Sequence, residues 1–112
     1  MKTFRLVPAL VLGLSLASVP ALADSASCTP SNVAVLSNRI HVKCAASVAG
    51  GIWYFALSTS DTAHVNRTLS LLSTALAGGR TLSIDYNPSS TAGTSIGCLS
   101  SDCRLINWIA MW

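Results

Sequence analysis

In 112 residues the chain sets seven Lys and Arg against four Asp and no Glu, a formal charge of +3. Two of the cations, Lys2 and Arg5, stand ahead of an apolar run near the amino end, and without them five cations face four aspartates. A charge so sparse and unclustered excludes the basic face that nucleic-acid binding calls for, and 112 residues leave room for one domain with one modest core.

Residues 1 to 23 read as a cleavable secretory signal. Lys2 and Arg5 open it, an apolar stretch runs from Leu6 to Ala17, and Ser18-Val19-Pro20-Ala21-Leu22-Ala23 closes it on small residues in an A-x-A pattern. The apolar stretch is shorter than the roughly 20 residues that span a bilayer, so cleavage after Ala23 is expected, with no membrane span in the mature protein. Ser25-Ala26-Ser27 ahead of Cys28 is no lipobox, and the leader carries no twin arginine. The working domain, residues 24 to 112, is therefore expected to be exported unfolded and to act in the periplasm or as a secreted protein.

From Asp24 to Asn32 small polar residues and Pro30 suggest a leader strapped down by Cys28. Val33-Ala34-Val35-Leu36 and Arg39-Ile40-His41-Val42-Lys43-Cys44 are β-prone runs separated by Ser37-Asn38, and Asn tolerates the positive φ of a two-residue turn. Pairing Leu36 with Arg39 sets Cys44 opposite Ser31. A small, flexible stretch from Ala45 ends at Gly50-Gly51, and Ile52 to Ser58 is aromatic and β-branched at strand length. Ser58 to Thr62 supplies capping residues for a helix of about four turns. Its apolar face carries Val65, Leu69, Leu72 and Leu76, with Ala63 and Ala75 beside them. His64, Asn66, Arg67, Ser70, Ser73 and Thr74 make the polar face, and Gly78-Gly79 ends the helix.

Arg80 to Tyr86 alternates like a half-buried strand and stops at Asn87-Pro88. Ser89 to Gly97 reads as a loop, and Arg104 to Trp112 as a last strand whose terminal tryptophan is expected to pack into the fold. The order β-β-β-α-β-β predicts a mostly β domain with one helix, class α+β. It matches a small five-stranded OB-type barrel, in which the helix stands between strands three and four.

Four cysteines in an exported chain are expected as two disulfides. Of three possible pairings, Cys28 with Cys44 and Cys98 with Cys103 is favoured, because each pair is local and within reach of β structure. The spacings C-x15-C and C-x4-C lack the paired short knuckles of structural zinc sites. No metal and no cofactor are expected.

Catalysis is not advertised. A ribonuclease-like hydrolase needs an acid, a base and a cation near phosphate, types that His41, His64, Lys43 and Arg67 supply. His41 and Lys43 share one side of a strand, however, whereas His64 opens the helix, and nothing in the sequence makes them converge. Glycoside hydrolysis would draw its carboxylate pair from four aspartates, and neither Asp85 nor Asp102 reads as a buried acid. No G-x-S-x-G elbow is present. The domain is expected not to be an enzyme.

The stretch Leu69 to Pro88, through Ala77-Gly78-Gly79-Arg80 and Leu82-Ser83-Ile84-Asp85-Tyr86, resembles the helix, glycine stop and following strand of the B subunits of subtilase-cytotoxin and pertussis-like AB5 toxins. Ser31-Asn32-Val33-Ala34-Val35 and the short loop from Cys98 to Cys103 extend the resemblance over most of residues 24 to 112. It implies a five-stranded OB fold, a homo-oligomeric ring of five with helices lining its centre, binding of host cell-surface glycans, and a separate catalytic A subunit. By string match it places glycan contacts on Ser31 and Tyr86, a hydroxyl and an aromatic phenol suited to sugars. The family's longer loop between the first two strands is absent, and Cys44 lacks a nearby downstream partner.

Three readings follow. The first is a non-catalytic glycan-binding module whose weak sites act together in a ring. The second is a periplasmic or envelope domain that binds a protein on the same fold without a sugar site. The third is a small secreted hydrolase built on His41 or His64.

Overall fold

The computed structural model describes residues 23–112. The expected signal segment, Ala23 apart, lies outside the described residues. Among those described, no helix is long and apolar enough to cross a membrane.

In chain order the elements are β1 (Asp24–Cys28), β2 (Pro30–Val35), β3 (Arg39–Val48), β4 (Ile52–Ser58), α1 (Thr62–Gly78), β5 (Leu82–Tyr86) and β6 (Cys103–Ala110), with a short 3-10 helix at Ala92–Ile96. The class is α+β and mostly β, as expected. The described strands number six rather than five, because the polar leader is itself a strand. Asp-Ser-Ala-Ser-Cys has little strand propensity, yet it pairs antiparallel with β5 from Asp24 opposite Tyr86 to Cys28 opposite Leu82. Ala26 and Cys28 turn inward and the serines outward, where the hydroxyls of Ser25 and Ser83 lie 2.9 Å apart.

The hydrogen-bonded order is β1-β5-β6-β4-β3-β2. This sheet is not closed: β1 and β2 are its two edges, although only Thr29 separates them in the chain. All pairs are antiparallel except β4 with β6, which runs parallel from Tyr54 opposite Cys103 to Ala56 opposite Leu105.

The β2–β3 hairpin has the expected turn, with the Leu36 N–H donating to the Arg39 carbonyl at 2.8 Å. An irregularity between Pro30 and Asn32 then sets Cys44 opposite Pro30 instead of Ser31. That one-residue slip brings Cys44 nearer Cys28, and the two form a disulfide with Cα atoms 5.2 Å apart. Past Cys44 the chain does not loosen. β3 continues to Val48, which pairs with Ile52, and Gly50 and Gly51, at φ 81° and 75°, take the turn.

Asp61 caps α1 by accepting the His64 N–H at 3.1 Å. Gly79 ends the helix in the left-handed conformation, as the Gly-Gly pair predicts. Leu72 and Ala75 are fully buried and plug the core made by Ile40, Val42, Phe55, Ile84 and Ile106. The buried face is turned from the expected one: Thr68 lies inside, while Leu76 is half-exposed. Trp112 also departs from expectation. Pairing in β6 ends at Ala110, so the ring beyond it is 87 % exposed and only its carbonyl is held, by the Arg80 guanidinium at 2.8 Å.

Candidate functional site

Arg39 and His41 are two residues apart on β3 and share one face of the sheet. Ser58 and Ala56 of β4 stand opposite them. The parallel pairing of Tyr54 with Cys103 carries the Cys98–Cys103 disulfide loop over the same face. The backbone N–H groups of Trp53 and Tyr54 both donate to the Asp102 carbonyl, at 2.9 and 3.0 Å. Ala56 is sealed under the disulfide, with Tyr54 and Leu105 packed beside it. Between this cover and β3 opens a cleft of about 400 Å³, walled by Arg39, His41, Tyr54, Leu99 and Asp102.

Arg39 is held in place from several sides. Its Nε donates to His41 Nδ1 at 3.0 Å, and its Nη1 donates to the Ile96 carbonyl at 2.7 Å and to Asn38 Oδ1 at 3.2 Å. Fixing a planar guanidinium this way removes most of the entropy it would otherwise lose on gripping a ligand. Gly97 makes the approach possible. A Cβ there would lie 2.9 Å from the guanidinium carbon, and its φ of 94° is one that side chains rarely adopt.

His41 accepts at Nδ1, so its neutral form carries the proton on Nε2. Burial, and then the Arg39 charge, lower its pKa, while Asp102 opposes the shift. Its ring lies 5.2 Å from that of Tyr54 in a tilted arrangement. The cleft therefore offers a fixed cation, a neutral imidazole, an aromatic ring and one carboxylate side chain at Asp102. Such a set suits binding of a polar, partly apolar molecule.

Ser31 is exposed at the start of β2, its hydroxyl donating to the Lys43 carbonyl at 3.2 Å. Tyr86 lies in the core at 1 % exposure, its ring edge-on to Phe55 with centroids 5.1 Å apart. Burial, and then Asp24, raise its pKa, against an opposing effect of Arg104. The two residues are not brought together, because Tyr86 pairs with Asp24 at the far end of β1 from Ser31. Both expected disulfides are formed, Cys28 to Cys44 and Cys98 to Cys103. Among the described residues no group of three or more His, Cys, Asp or Glu is placed to hold a metal ion.

His41 and His64 line different concavities, the cleft on β3 and a groove beside α1. Lys43 sits 5.8 Å over the Trp53 ring, and Arg67 faces the groove with His64. Asp85 accepts from Asn107 at 3.0 Å. His41, His64, Lys43 and Arg67, the four residues named for a hydrolase, are thus not brought together in one site.

Arg39, Tyr54, Gly97 and Leu99 were not evident as a set from the sequence. The Arg39-x-His41 spacing on a predicted strand was the available signal. What it lacked was the β4–β6 pairing that lays a loop 57 residues away against Arg39. No family model matches the chain, and no curated protein or solved structure is significantly similar to it.

Proposed function

We propose that the chain is a non-catalytic, exported glycan-binding module on an OB-type barrel, and that the sugar sits in the Arg39 cleft. The observation that carries this reading is the guanidinium of Arg39, fixed by His41, Asn38 and Ile96 at the wall of an open cleft beside the Tyr54 ring. With Nε and Nη1 engaged, the Nη2 group of Arg39 is left to donate to the hydroxylated edge of a sugar, and the Tyr54 ring to meet its apolar face. The barrel reading is supported by counting β1, Thr29 and β2 as one bent strand, which restores the five-strand order with the helix between the third and fourth. Ring assembly and a separate catalytic subunit belong to the same reading through the AB5 B-subunit resemblance, whereas contacts at Ser31 and Tyr86, which the resemblance also implies, are the alternative to the cleft.

The test is a glycan array probed with the protein recovered from the exported fraction of expressing cells, both disulfides intact. Selective binding that disappears in Arg39→Ala, while Tyr86→Phe retains it, supports the cleft. A blank array from folded protein removes the glycan reading. Sedimentation of the same sample reports assembly.

A second reading, an envelope domain that binds a protein, is favoured by the exposed Val35 and Leu36 at the end of the edge strand β2. An edge strand with apolar side chains is a template for an added strand. A photo-crosslinker at position 36 that captures a partner in intact cells, with a blank array, supports this reading over the first.

A further inference from the structure

A second concavity lies on another part of the molecule, between the first half of α1 and the end of β6. It encloses about 190 Å³ and is lined by His64, Arg67, Thr68, Leu71, Trp108 and Ile109. Its form depends on an irregularity in β6. Tyr86 pairs with Ile106 but Asp85 pairs with Trp108, so Asn107 is an extra residue in the ladder. Without it, Trp108 would follow Ile106 into the core at the two-residue period. With it, Trp108 turns outward, 47 % exposed, and Ile109 takes the inward place opposite Ile84. Re-aiming a side chain is a known consequence of a bulge, and here it puts an indole where a ligand can reach it.

Thr68 is the second observation. It is 4 % exposed and lines the groove, yet its hydroxyl makes no hydrogen bond with any described residue, whereas Thr74 on the same helix donates to the Ser70 carbonyl at 3.0 Å. A buried hydroxyl left without a partner is costly, and one that persists calls for an explanation such as a ligand. The remaining polar lining is Arg67, which only donates, and His64, whose ring can donate and accept, and no carboxylate lines the groove.

We propose that this groove is a second carbohydrate subsite, which takes a single pyranose residue stacked on Trp108. A pyranose has one apolar face for the indole and Leu71, and edge hydroxyls for Thr68, His64 and Arg67. At about 190 Å³ the groove is smaller than the roughly 300 Å³ at which pockets for drug-sized ligands begin, a size that suits a single ring. The ligand class is the one proposed for the Arg39 cleft, but none of the residues is shared, so either site can fail alone.

The test is a nuclear magnetic resonance titration of the isotope-labelled exported protein with methyl β-galactopyranoside, methyl α-glucopyranoside and glucuronic acid. The Trp108 indole N–H and the Thr68 and Ile109 amides are expected to shift along a saturable curve with at least one of them. Trp108→Ala is expected to abolish the Thr68 and Ile109 shifts, while Arg39→Ala leaves all three in place. Thr68→Val removes the hydroxyl at nearly constant shape, and is expected to weaken binding about fivefold while leaving the thermal midpoint unchanged or higher. Shifts confined to the Arg39 cleft, no saturable shift at the groove with any of the three sugars, or shifts that survive Trp108→Ala would each overturn the proposal.

Discussion

Arg39 and His41 are joined by one hydrogen bond, Nε to Nδ1 at 3.0 Å, which only a neutral imidazole accepts. Burial and the Arg39 charge lower the His41 pKa below its usual value of about 6.5, against the pull of Asp102. A depressed histidine contributes fully to stability above that value. The contribution is lost as pH falls through the folded pKa, because the unfolded chain takes up a proton that the folded one resists. The urea midpoint is expected to fall from about pH 7 to about pH 5, and His41→Asn is expected to flatten this part of the profile.

Gly93 stands under the disulfide. A Cβ on it would lie 2.7 Å from the Cβ of Cys98 and 3.0 Å from a methyl of Leu105, both packed on β4. Gly93→Ala is expected to cost about 1 to 3 kcal/mol, read as a lower denaturant midpoint with an unchanged slope.

Gly97→Ala tests the cleft more than the fold. The left-handed φ costs roughly 1 kcal/mol for alanine, and the new methyl displaces the Arg39 guanidinium. Any ligand of the cleft is expected to lose at least tenfold in affinity by calorimetry, with only a modest loss of thermal stability.

Tyr86 separates core from contact. Its hydroxyl makes no hydrogen bond with a described residue, and its ring packs on Phe55. Tyr86→Phe is expected to leave stability and glycan binding within error, whereas Tyr86→Ala is expected to cost about 3 to 5 kcal/mol. A Tyr86→Phe variant that stays folded but loses binding would return the site to Tyr86.

The two disulfides are expected to differ in what they protect. Replacing Cys28 and Cys44, 16 residues apart, is expected to cost about 3 kcal/mol in the chain-entropy model. Replacing Cys98 and Cys103, five apart, costs about 2 kcal/mol by the same model and removes the cover over Ala56. The first pair is expected to dominate unfolding curves and the second to dominate ligand affinity.

Local signals carried much of the fold. The Ser37-Asn38 turn, the strand Ile52–Ser58, the helix with its glycine stop and the alternation up to Tyr86 are each written in one run of neighbouring residues. The leader was misread because Ser25 and Ser27 do not favour a strand. β5, more than fifty residues away, makes it one. Two ladder irregularities, at Ser31 and at Asn107, fall on residue types that occur in strand ends and loops alike and so do not announce a bulge, and they decide where Cys44 and Trp108 point. The cleft was hidden for a related reason, since Arg39 and Gly97 meet only after β4 and β6 have paired.

The position of β1 also bears on how the protein forms. Each of its backbone pairs waits for Leu82 to Tyr86, so under the proposed export, amino end first, this segment is outside long before its partner arrives. Until then Ala26 and Cys28 have no ladder to hold them, and Cys28 is a free thiol with Cys44 already within reach. Contacts so distant in sequence slow folding. Oxidation of that pair can tie β1 to β3 early, and so shorten the search that remains when β5 emerges.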